Sequence, residues 1–174
     1  SRVSRGLGDV YKRQGVECEY FLISPDGNSI ADPRDTQSKP CYDQSALMRR
    51  YDLIKEICDC MIEMGWGPYQ NDHEDANGQF EMNWDYSDCL KTADRHTFFK
   101  FMVKTIAEKH GLRATFMPKP FGNLTGNGCH AHVSVWQGSK NKFLDNKDKL
   151  GLSKMAYNFL GGVIKNASSL SAFF

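Results

Sequence analysis

The dipeptide Asn77-Gly78 constrains the fold of this chain more than any other short feature. It separates two strand-like segments, and Asn-Gly is the strongest short-range signal for a β-hairpin with a type I′ turn. With these two residues as the turn, Glu74 on the first strand faces Glu81 on the second. Directly opposed carboxylates destabilise a strand pair, and a divalent cation with oxygen ligands reverses that penalty. The hairpin therefore predicts a metal site, and a wider turn that leaves one glutamate in solvent is the alternative.

Hydrophobic periodicity predicts alternating strands and helices along the rest of the chain. A period of two over residues 16–23 indicates a strand that carries Glu17 and Glu19 on one face. Apolar stripes with a period near 3.6 predict helices, of which the first two end at a glycine. The predicted helices span residues 44–64, 92–110 and 150–165, the last interrupted by Gly161-Gly162, and the further strands span residues 66–74, 79–84, 112–117 and 129–136. Hairpin-like strand pairs between helices favour an α+β fold over a doubly wound parallel sheet.

The charge balance excludes proteins that act through bulk electrostatics. Lys and Arg number 22 against 21 Asp and Glu, which leaves a formal net charge of +1. Nucleic acid and anionic membranes require clustered positive charge, so neither is an expected partner. Because no apolar run approaches the roughly 20 residues that cross a bilayer, we expect a soluble protein. The six cysteines lack metal or redox spacing, and we interpret them as reduced, mostly buried thiols of a cytoplasmic protein.

Both ends of the chain differ from those of an ordinary domain. Residues 1–14 resemble a read-through translation of the transposase adapter used to prepare sequencing libraries, so we interpret them as non-native. A basic, flexible natural N-terminus is the alternative. The last residues, Ser168 to Phe174, end on two aromatic side chains, whereas domain termini normally lie at the surface. We therefore predict that residues 15–174 are part of a larger domain.

Two further clusters carry candidate metal ligands. Glu17 and Glu19 are two residues apart on a strand, so both carboxylates project from one face. His130 and His132 share a strand face in the same way, and neutral imidazole is a metal ligand. A Gly-rich loop over residues 118–128 precedes the histidines and lets the backbone approach a ligand closely. Solvent-exposed acids and structural histidines are the alternatives.

These motifs, in this order and spacing, resemble the catalytic domain of the glutamine synthetase family, and the resemblance covers residues 15 to 174. The segments that carry it are Val16-Glu17-x-Glu19-Tyr20-Phe21-Leu22, Gly78-Gln79-Phe80-Glu81, Lys119-Pro120 and Gly126-Asn127-Gly128-Cys129-His130-Ala131-His132. Thr125 replaces the Asn that precedes the glycine in common bacterial enzymes, and the loop is one residue longer. Both departures resemble the type III and γ-glutamylmethylamide synthetase branch.

The resemblance implies a role for each matching residue. It implies an antiparallel sheet that carries a site for two Mg²⁺ or Mn²⁺ ions, with helices packed on its outside. One ion would be held by Glu19, Glu74 and Glu81, and the other by Glu17 and His130. The nucleotide ATP would lie near His132, Ser134 and Tyr86, and glutamate near Gly126 and Thr125. The catalytic arginines and flap glutamate of the family would lie beyond Phe174, so we expect the isolated chain to be inactive.

The implied reaction joins an amine to glutamate in two steps. The γ-carboxylate of glutamate is first phosphorylated by ATP, and ammonia then displaces phosphate from the acyl phosphate. Methylamine or another amine in place of ammonia is one alternative. A non-catalytic protein of the same family, serving as a structural or binding module, is another. The resemblance also implies a large ring homo-oligomer for the full-length protein.

Overall fold

The computed structural model describes residues 10–172. Strands and helices alternate in the order β1 (Val10–Ile23), α1 (Gln44–Met48), α2 (Tyr51–Glu63), β2 (Pro68–His73), β3 (Gln79–Trp84), β4 (Ser87–Asp88), α3 (Cys89–Lys109), β5 (Arg113–Thr115), β6 (Cys129–Gln137), β7 (Lys140–Asn141) and α4 (Lys154–Leu170). The expected α+β class is confirmed. The chain divides into a larger unit, residues 14–132, and a smaller unit that combines residues 133–172 with the start of β1.

In the larger unit the strands lie in the order β2-β3-β1-β6. Strand β1 pairs antiparallel with β3 and, further along, with β5, while β4 also pairs with it. The predicted first strand begins at residue 16, whereas β1 begins at Val10. Residues 1–9 of the predicted adapter segment lie outside the described residues, and residues 10–14 are the first residues of β1. The non-native origin of this segment stays a prediction.

One face of β1 builds the core of the larger unit. Tyr20 and Leu22 are fully buried there, and the Tyr20 ring lies edge-on to that of Phe99 on α3 with 6.2 Å between ring centroids. Helix α2 adds Leu53 and Ile57 to the same cluster. Because successive residues of a strand point to opposite faces, this packing leaves the other face of β1 uncovered by these helices. That other face carries the acidic side chains.

The predicted helix over residues 44–64 is divided in two. Helix α1 ends at Met48 and α2 starts at Tyr51, with Arg49 and Arg50 between them. Arg49 is bonded to the buried carboxylate of Asp32, and Arg50 donates a hydrogen bond to the carbonyl of Ala31 at 2.7 Å. These contacts come from residues 17 to 19 positions away, so helical periodicity alone does not reveal the interruption.

The hairpin register predicted from a two-residue turn is wrong. Asp72 pairs with Glu81, and the Glu74 amide donates to the carbonyl of Gln79 at 3.0 Å, so four residues form the turn. Glu74 therefore lies opposite Gln79, two positions from the expected partner. Buried Asp35 fixes the wider turn, because its carboxylate accepts the Gly78 amide at 2.6 Å.

The same carboxylate holds both flanks of the turn. Asp35 accepts a hydrogen bond from the Asn77 amide group at 2.9 Å and contacts Nε2 of buried His73 at 2.6 Å. The other ring nitrogen of His73 lies 2.7 Å from the carbonyl of Pro40. The loop before α1 therefore sets the alignment of β2 with β3.

The smaller unit contains the β6–β7 hairpin and α4. Helix α4 runs without a break through Gly161 and Gly162, so the predicted interruption is wrong. It begins four residues later than predicted because Ser153 is its N-cap and accepts a hydrogen bond from the amide of Ala156. Phe143 packs on Phe159 of the helix with 5.3 Å between ring centroids. This contact holds the helix in place close to Gly161 and Gly162, which have no side chains to pack.

None of the helices in the described residues combines the length and the apolar character that a membrane span requires.

The cysteines differ from one another in burial. All six cysteines are free thiols, as expected, but only Cys18 is buried and Cys129 is exposed. The expectation that most of them are buried is therefore wrong.

The role of Asp35 in the fold is testable by substitution. Asp35→Ala leaves Gly78 and His73 without their buried acceptor, and we expect a loss of about 3 kcal/mol in the free energy of unfolding. Urea denaturation measures this loss. Asp26→Ala is the matched control, because that exposed carboxylate bonds only to nearby Ser24 and Asn28. A loss for Asp35→Ala no greater than that of the control contradicts the assignment.

Candidate metal centre

The open face of the sheet carries a row of three carboxylates across three strands. Glu19 on β1 pairs with Glu81 on β3, and Glu81 pairs with Asp72 on β2. Directly paired residues project from the same face with Cβ atoms about 5 Å apart. Two residue pairs along, Glu17 lies opposite Asn83 on the same face. The register therefore concentrates negative charge at one place on the sheet.

Two groups of side chains on this face have ligand atoms within 4.8 Å of one another. The first group contains Glu17, Glu81 and His130, and the second contains Asp72, Glu74 and Glu81. Glu81 belongs to both groups, so the two candidate sites are adjacent. This arrangement has the form of a two-cation centre that shares one carboxylate.

Strand β6 brings both predicted histidines to Glu17. Nδ1 of His130 lies 3.3 Å from one carboxylate oxygen of Glu17, and Nε2 of His132 lies 3.0 Å from the other. The two histidines are therefore on the face that the period of two predicts. The structure adds that His132, expected near the nucleotide, contacts a candidate metal ligand directly.

Glu19 differs from the other predicted ligands because its carboxylate is already hydrogen-bonded. It accepts the amide of Gly128 at 2.8 Å and the side-chain amide of Gln79 at 3.0 Å. The same Gln79 amide donates to the carbonyl of Gly126 and to Oδ1 of Asn127, both at 2.9 Å. Glu19 belongs to neither group of candidate ligands and instead attaches the Gly-rich loop to the sheet.

The site raises the pKa of its central acids. Burial and the charges of Glu81 and Glu19 raise the pKa of Glu74 to about 7. Burial likewise raises the pKa of Glu81, with further contributions from Glu17 and Glu19, although a hydrogen bond from Asn83 opposes this shift. Loss of hydration and like charge both disfavour the ionised form, and a bound cation relieves them.

The surroundings fit a divalent cation. Within the described part of the chain, no lysine or arginine forms an ion pair with Glu17, Glu74 or Glu81. Oδ1 of Asn83 is buried without a hydrogen-bond partner among these residues, and its amide nitrogen contacts Glu81 at 2.9 Å. Carboxylate oxygens, which predominate in both groups, suit Mg²⁺ and Mn²⁺.

The remaining predicted residues lie at different places. Gly126 contacts Gln79 through its backbone, and a Cβ at this position would overlap the carbonyl oxygen of Pro118. Thr125 and Tyr86 are exposed. Ser134 belongs to the smaller unit, where its hydroxyl accepts a hydrogen bond from the Trp136 indole at 2.8 Å.

Asp72 is a candidate ligand that is absent from the residues predicted from the sequence. A two-residue turn would not place Asp72 opposite Glu81, whereas the observed four-residue turn does. A signal was present, because Asp72 and Glu74 are two residues apart on one strand face.

The raised carboxylate pKa values predict how stability depends on pH. A folded-state pKa above the unfolded value means that the native state binds a proton more tightly, so stability decreases as pH rises between these two values. For the metal-free protein we expect the free energy of unfolding to fall by roughly 1 kcal/mol between pH 4.5 and 7 through Glu74, after reduction by solvent screening. Urea denaturation of Glu74→Gln across this range shows a flatter profile. Exposed Glu63→Gln is the control, and an unchanged profile for Glu74→Gln contradicts the prediction.

Comparisons with known proteins identify the family. Residues 5–174 match the family model described as glutamine synthetase, catalytic domain. The chain is 69% identical over 162 residues to a glutamine synthetase of Rhizobium meliloti (strain 1021), covering 92% of this chain and 37% of that relative. It is 45% identical over 162 residues to a glutamate–methylamine ligase of Methyloversatilis universalis, covering 91% of this chain and 37% of that relative.

A solved structure, "GmaS/ADP complex-Conformation 1", has the same fold. Its TM-score is 0.91 at 67% sequence identity, over 94% of this chain and 38% of that chain. The chain thus spans little more than a third of the length of the relatives that it matches. Since the family model matches all but the first few residues, the resemblance found in the sequence is confirmed, and the chain belongs to the glutamine synthetase family.

Proposed function

We propose that this chain carries the metal-binding face of an ATP-dependent carbon–nitrogen ligase, which joins ammonia to the γ-carboxylate of glutamate through a γ-glutamyl phosphate. The observation that carries the proposal is the pair of candidate ligand groups that share Glu81. A relative 69% identical to the chain is named glutamine synthetase, which supports the same reaction.

The two ions are assigned to the two groups. Glu17 and His130, with Glu81 in reach, would hold one Mg²⁺ or Mn²⁺ ion. Glu74 and Glu81 would hold the other, together with Asp72. The ions would neutralise charge on the phosphoryl group as it passes from ATP to glutamate.

Glu19, expected as a third ligand beside Glu74 and Glu81, has a different role in this proposal. Its carboxylate keeps the amide of Gly128 against the sheet, and its contact with Gln79 extends this support to Gly126. Glu19 therefore orients the loop that would bind the glutamate substrate. To become a metal ligand as well, it would exchange one of these hydrogen bonds for the ion.

The substrates are assigned to the loop and to the strand beside it. The backbone at Gly126, together with Thr125, would bind glutamate, as the resemblance implies. The lack of a side chain at Gly126 lets this backbone pack closely against the carbonyl oxygen of Pro118. The nucleotide would lie near His132 and Tyr86, and the role of Ser134 that the resemblance implies stays a prediction. His132 would retain its contact with Glu17, which holds its ring toward the centre.

Methylamine is the second candidate for the amine substrate. A relative 45% identical to the chain is named glutamate–methylamine ligase, and a solved structure 67% identical to it is named GmaS. Thr125 before Gly126 is the departure in the sequence that favours this reaction. The acidic face is compatible with either amine, because both ammonium and methylammonium are cations.

A non-catalytic role as a structural or binding module is a weaker explanation of the same face. Glu81 lies between Glu19 and Asp72, and opposed acids destabilise the sheet unless a cation compensates them. A protein with no use for the ions would gain stability by replacing one of these acids. For the whole protein, a large ring homo-oligomer in the cytoplasm remains part of the proposal.

Metal titration tests the centre. Mn²⁺ binding to the 174-residue chain, followed by the electron paramagnetic resonance signal of free Mn²⁺, should weaken at least tenfold in Glu81→Ala, because Glu81 belongs to both groups. That change corresponds to about 1.4 kcal/mol. Glu63→Ala, an exposed glutamate at the end of α2, serves as the control and should bind as the wild type does. Equal affinity in the two variants contradicts the assignment.

Activity is tested in a chimera, because the chain matches only part of its relatives. The aligned 162-residue segment replaces its counterpart in the Rhizobium meliloti glutamine synthetase, and phosphate release is measured with glutamate, ATP and either amine. We expect release to be faster with ammonia, and faster release with methylamine establishes the second candidate. The 174-residue chain alone should release no phosphate above background. Absence of release from the chimera with both amines, while the parent enzyme is active, favours the non-catalytic explanation.

A further inference from the structure

We propose that Cys18 and Cys129 form a redox-active pair, which a low-molecular-weight disulfide converts into a cross-strand disulfide between β1 and β6. Cys18 lies between Glu17 and Glu19 on β1, and Cys129 lies directly before His130 on β6. Both cysteines therefore alternate with residues of the candidate metal centre. Neither takes part in the function proposed above.

The strand register places the two cysteines opposite each other. The Glu19 amide donates to the carbonyl of Gly128 at 3.3 Å, and the Glu17 carboxylate lies 3.3 Å from His130. From Glu19 back to Glu17 on β1, the contacting residue changes from Gly128 forward to His130, so the two strands are antiparallel. Cys18 and Cys129 are the residues between these two contacts and lie opposite each other. Residues opposite each other in an antiparallel pair have Cα atoms about 4.5 to 5.5 Å apart, within the range of about 4.4 to 6.8 Å that disulfides span.

Cys18 and Cys129 therefore face each other across the two strands. They differ in accessibility, because Cys18 is 2% exposed whereas Cys129 is exposed. Nε2 of His96 on α3 lies 4.0 Å from the sulfur of Cys129. Cys129 is therefore the sulfur that meets an external reagent, and Cys18 is the resolving thiol.

The exchange reaction proceeds in two balanced steps. The sulfur of Cys129, after losing its proton to solvent, attacks a disulfide RSSR, releases RS⁻ and forms a mixed disulfide. Cys18 then loses its proton, attacks the sulfur of Cys129 and releases the second RS⁻. Two protein thiols are oxidised by two electrons, and one RSSR is reduced to two thiols.

The disulfide would perturb the metal centre, and this consequence rests on the proposed function. Forming the bond fixes the two sulfur atoms about 2.05 Å apart, which moves Cys18 and Cys129 together with their neighbours. Metal–ligand distances in a well-formed site lie within about 0.2 Å of their usual values, so displaced ligands would hold the ion less well. We therefore expect oxidation to weaken Mn²⁺ binding at least threefold. By linkage, bound Mn²⁺ should disfavour oxidation by the same factor.

Peptide mapping tests the disulfide directly. The chain is incubated with oxidised glutathione, its free thiols are alkylated, and a digest is analysed by mass spectrometry without reduction. We expect a cross-linked Cys18–Cys129 peptide in the wild type and in the control Cys89→Ser. In Cys18→Ser, which lacks the resolving thiol, glutathione should remain on Cys129. The proposal is overturned if glutathione modifies the six cysteines evenly or if no cross-linked peptide forms.

Mn²⁺ binding tests the coupling separately. The reduced and oxidised forms of the wild type are titrated with Mn²⁺ alone, and dithiothreitol should restore the affinity of the reduced form. Equal affinities of the two forms overturn the coupling. If the reduced chain binds no Mn²⁺, the proposed metal centre fails, whereas the disulfide is still decided by the peptide map. Cys89→Ser should behave as the wild type does in both titrations.

Discussion

Electrostatic repulsion on one face of the sheet is the constraint on which the rest of this structure depends. Glu19, Glu81 and Asp72 are paired across three neighbouring strands. Burial and the charges of Glu81 and Glu19 also raise the pKa of Glu74. Like charges at this spacing oppose pairing of the strands. The opposite face of β1 compensates for this cost, because Tyr20 and Leu22 are fully buried against the helices. Hydrophobic packing on one side of the strand thus makes the acidic arrangement on the other side possible.

Hydrogen bonds outside the sheet convert this face into a defined site. Gln79 connects the carboxylate of Glu19 to the backbone of the Gly-rich loop, so the loop and the acids cannot be positioned independently. Gly128 contributes in a second way, because a Cβ there would lie 2.8 Å from an oxygen of Glu19. The amide of Gly128 donates to Glu19, and the absence of a side chain at Gly128 leaves room for the same carboxylate. One carboxylate, expected to be a metal ligand, consequently organises the loop.

Local patterns predict much of this molecule, and long-range contacts decide the rest. The period of two correctly assigns Glu17 and Glu19 to one face of β1, and His130 and His132 to one face of β6, because side-chain direction in a strand depends only on parity. Register depends on the turn, and the turn depends on Asp35, which is about forty residues away in sequence. The opposition of Asp72 to Glu81 was therefore not predictable from the hairpin motif alone. The sequence indicates which residues are able to bind a metal ion. It does not indicate which of them lie close together, because those distances depend on the fold.

The turn held by Asp35 has a further consequence. A slip of two residues between β2 and β3 keeps every side chain on its own face, so burial discriminates poorly between the observed alignment and the tighter one. The tighter alignment would bring Glu74 opposite Glu81 and remove Asp72 from the row. One buried carboxylate thus selects between two acid arrangements of nearly equal hydrophobic content. A substitution at this remote position would therefore change which acids lie opposite each other without replacing any of the acids themselves.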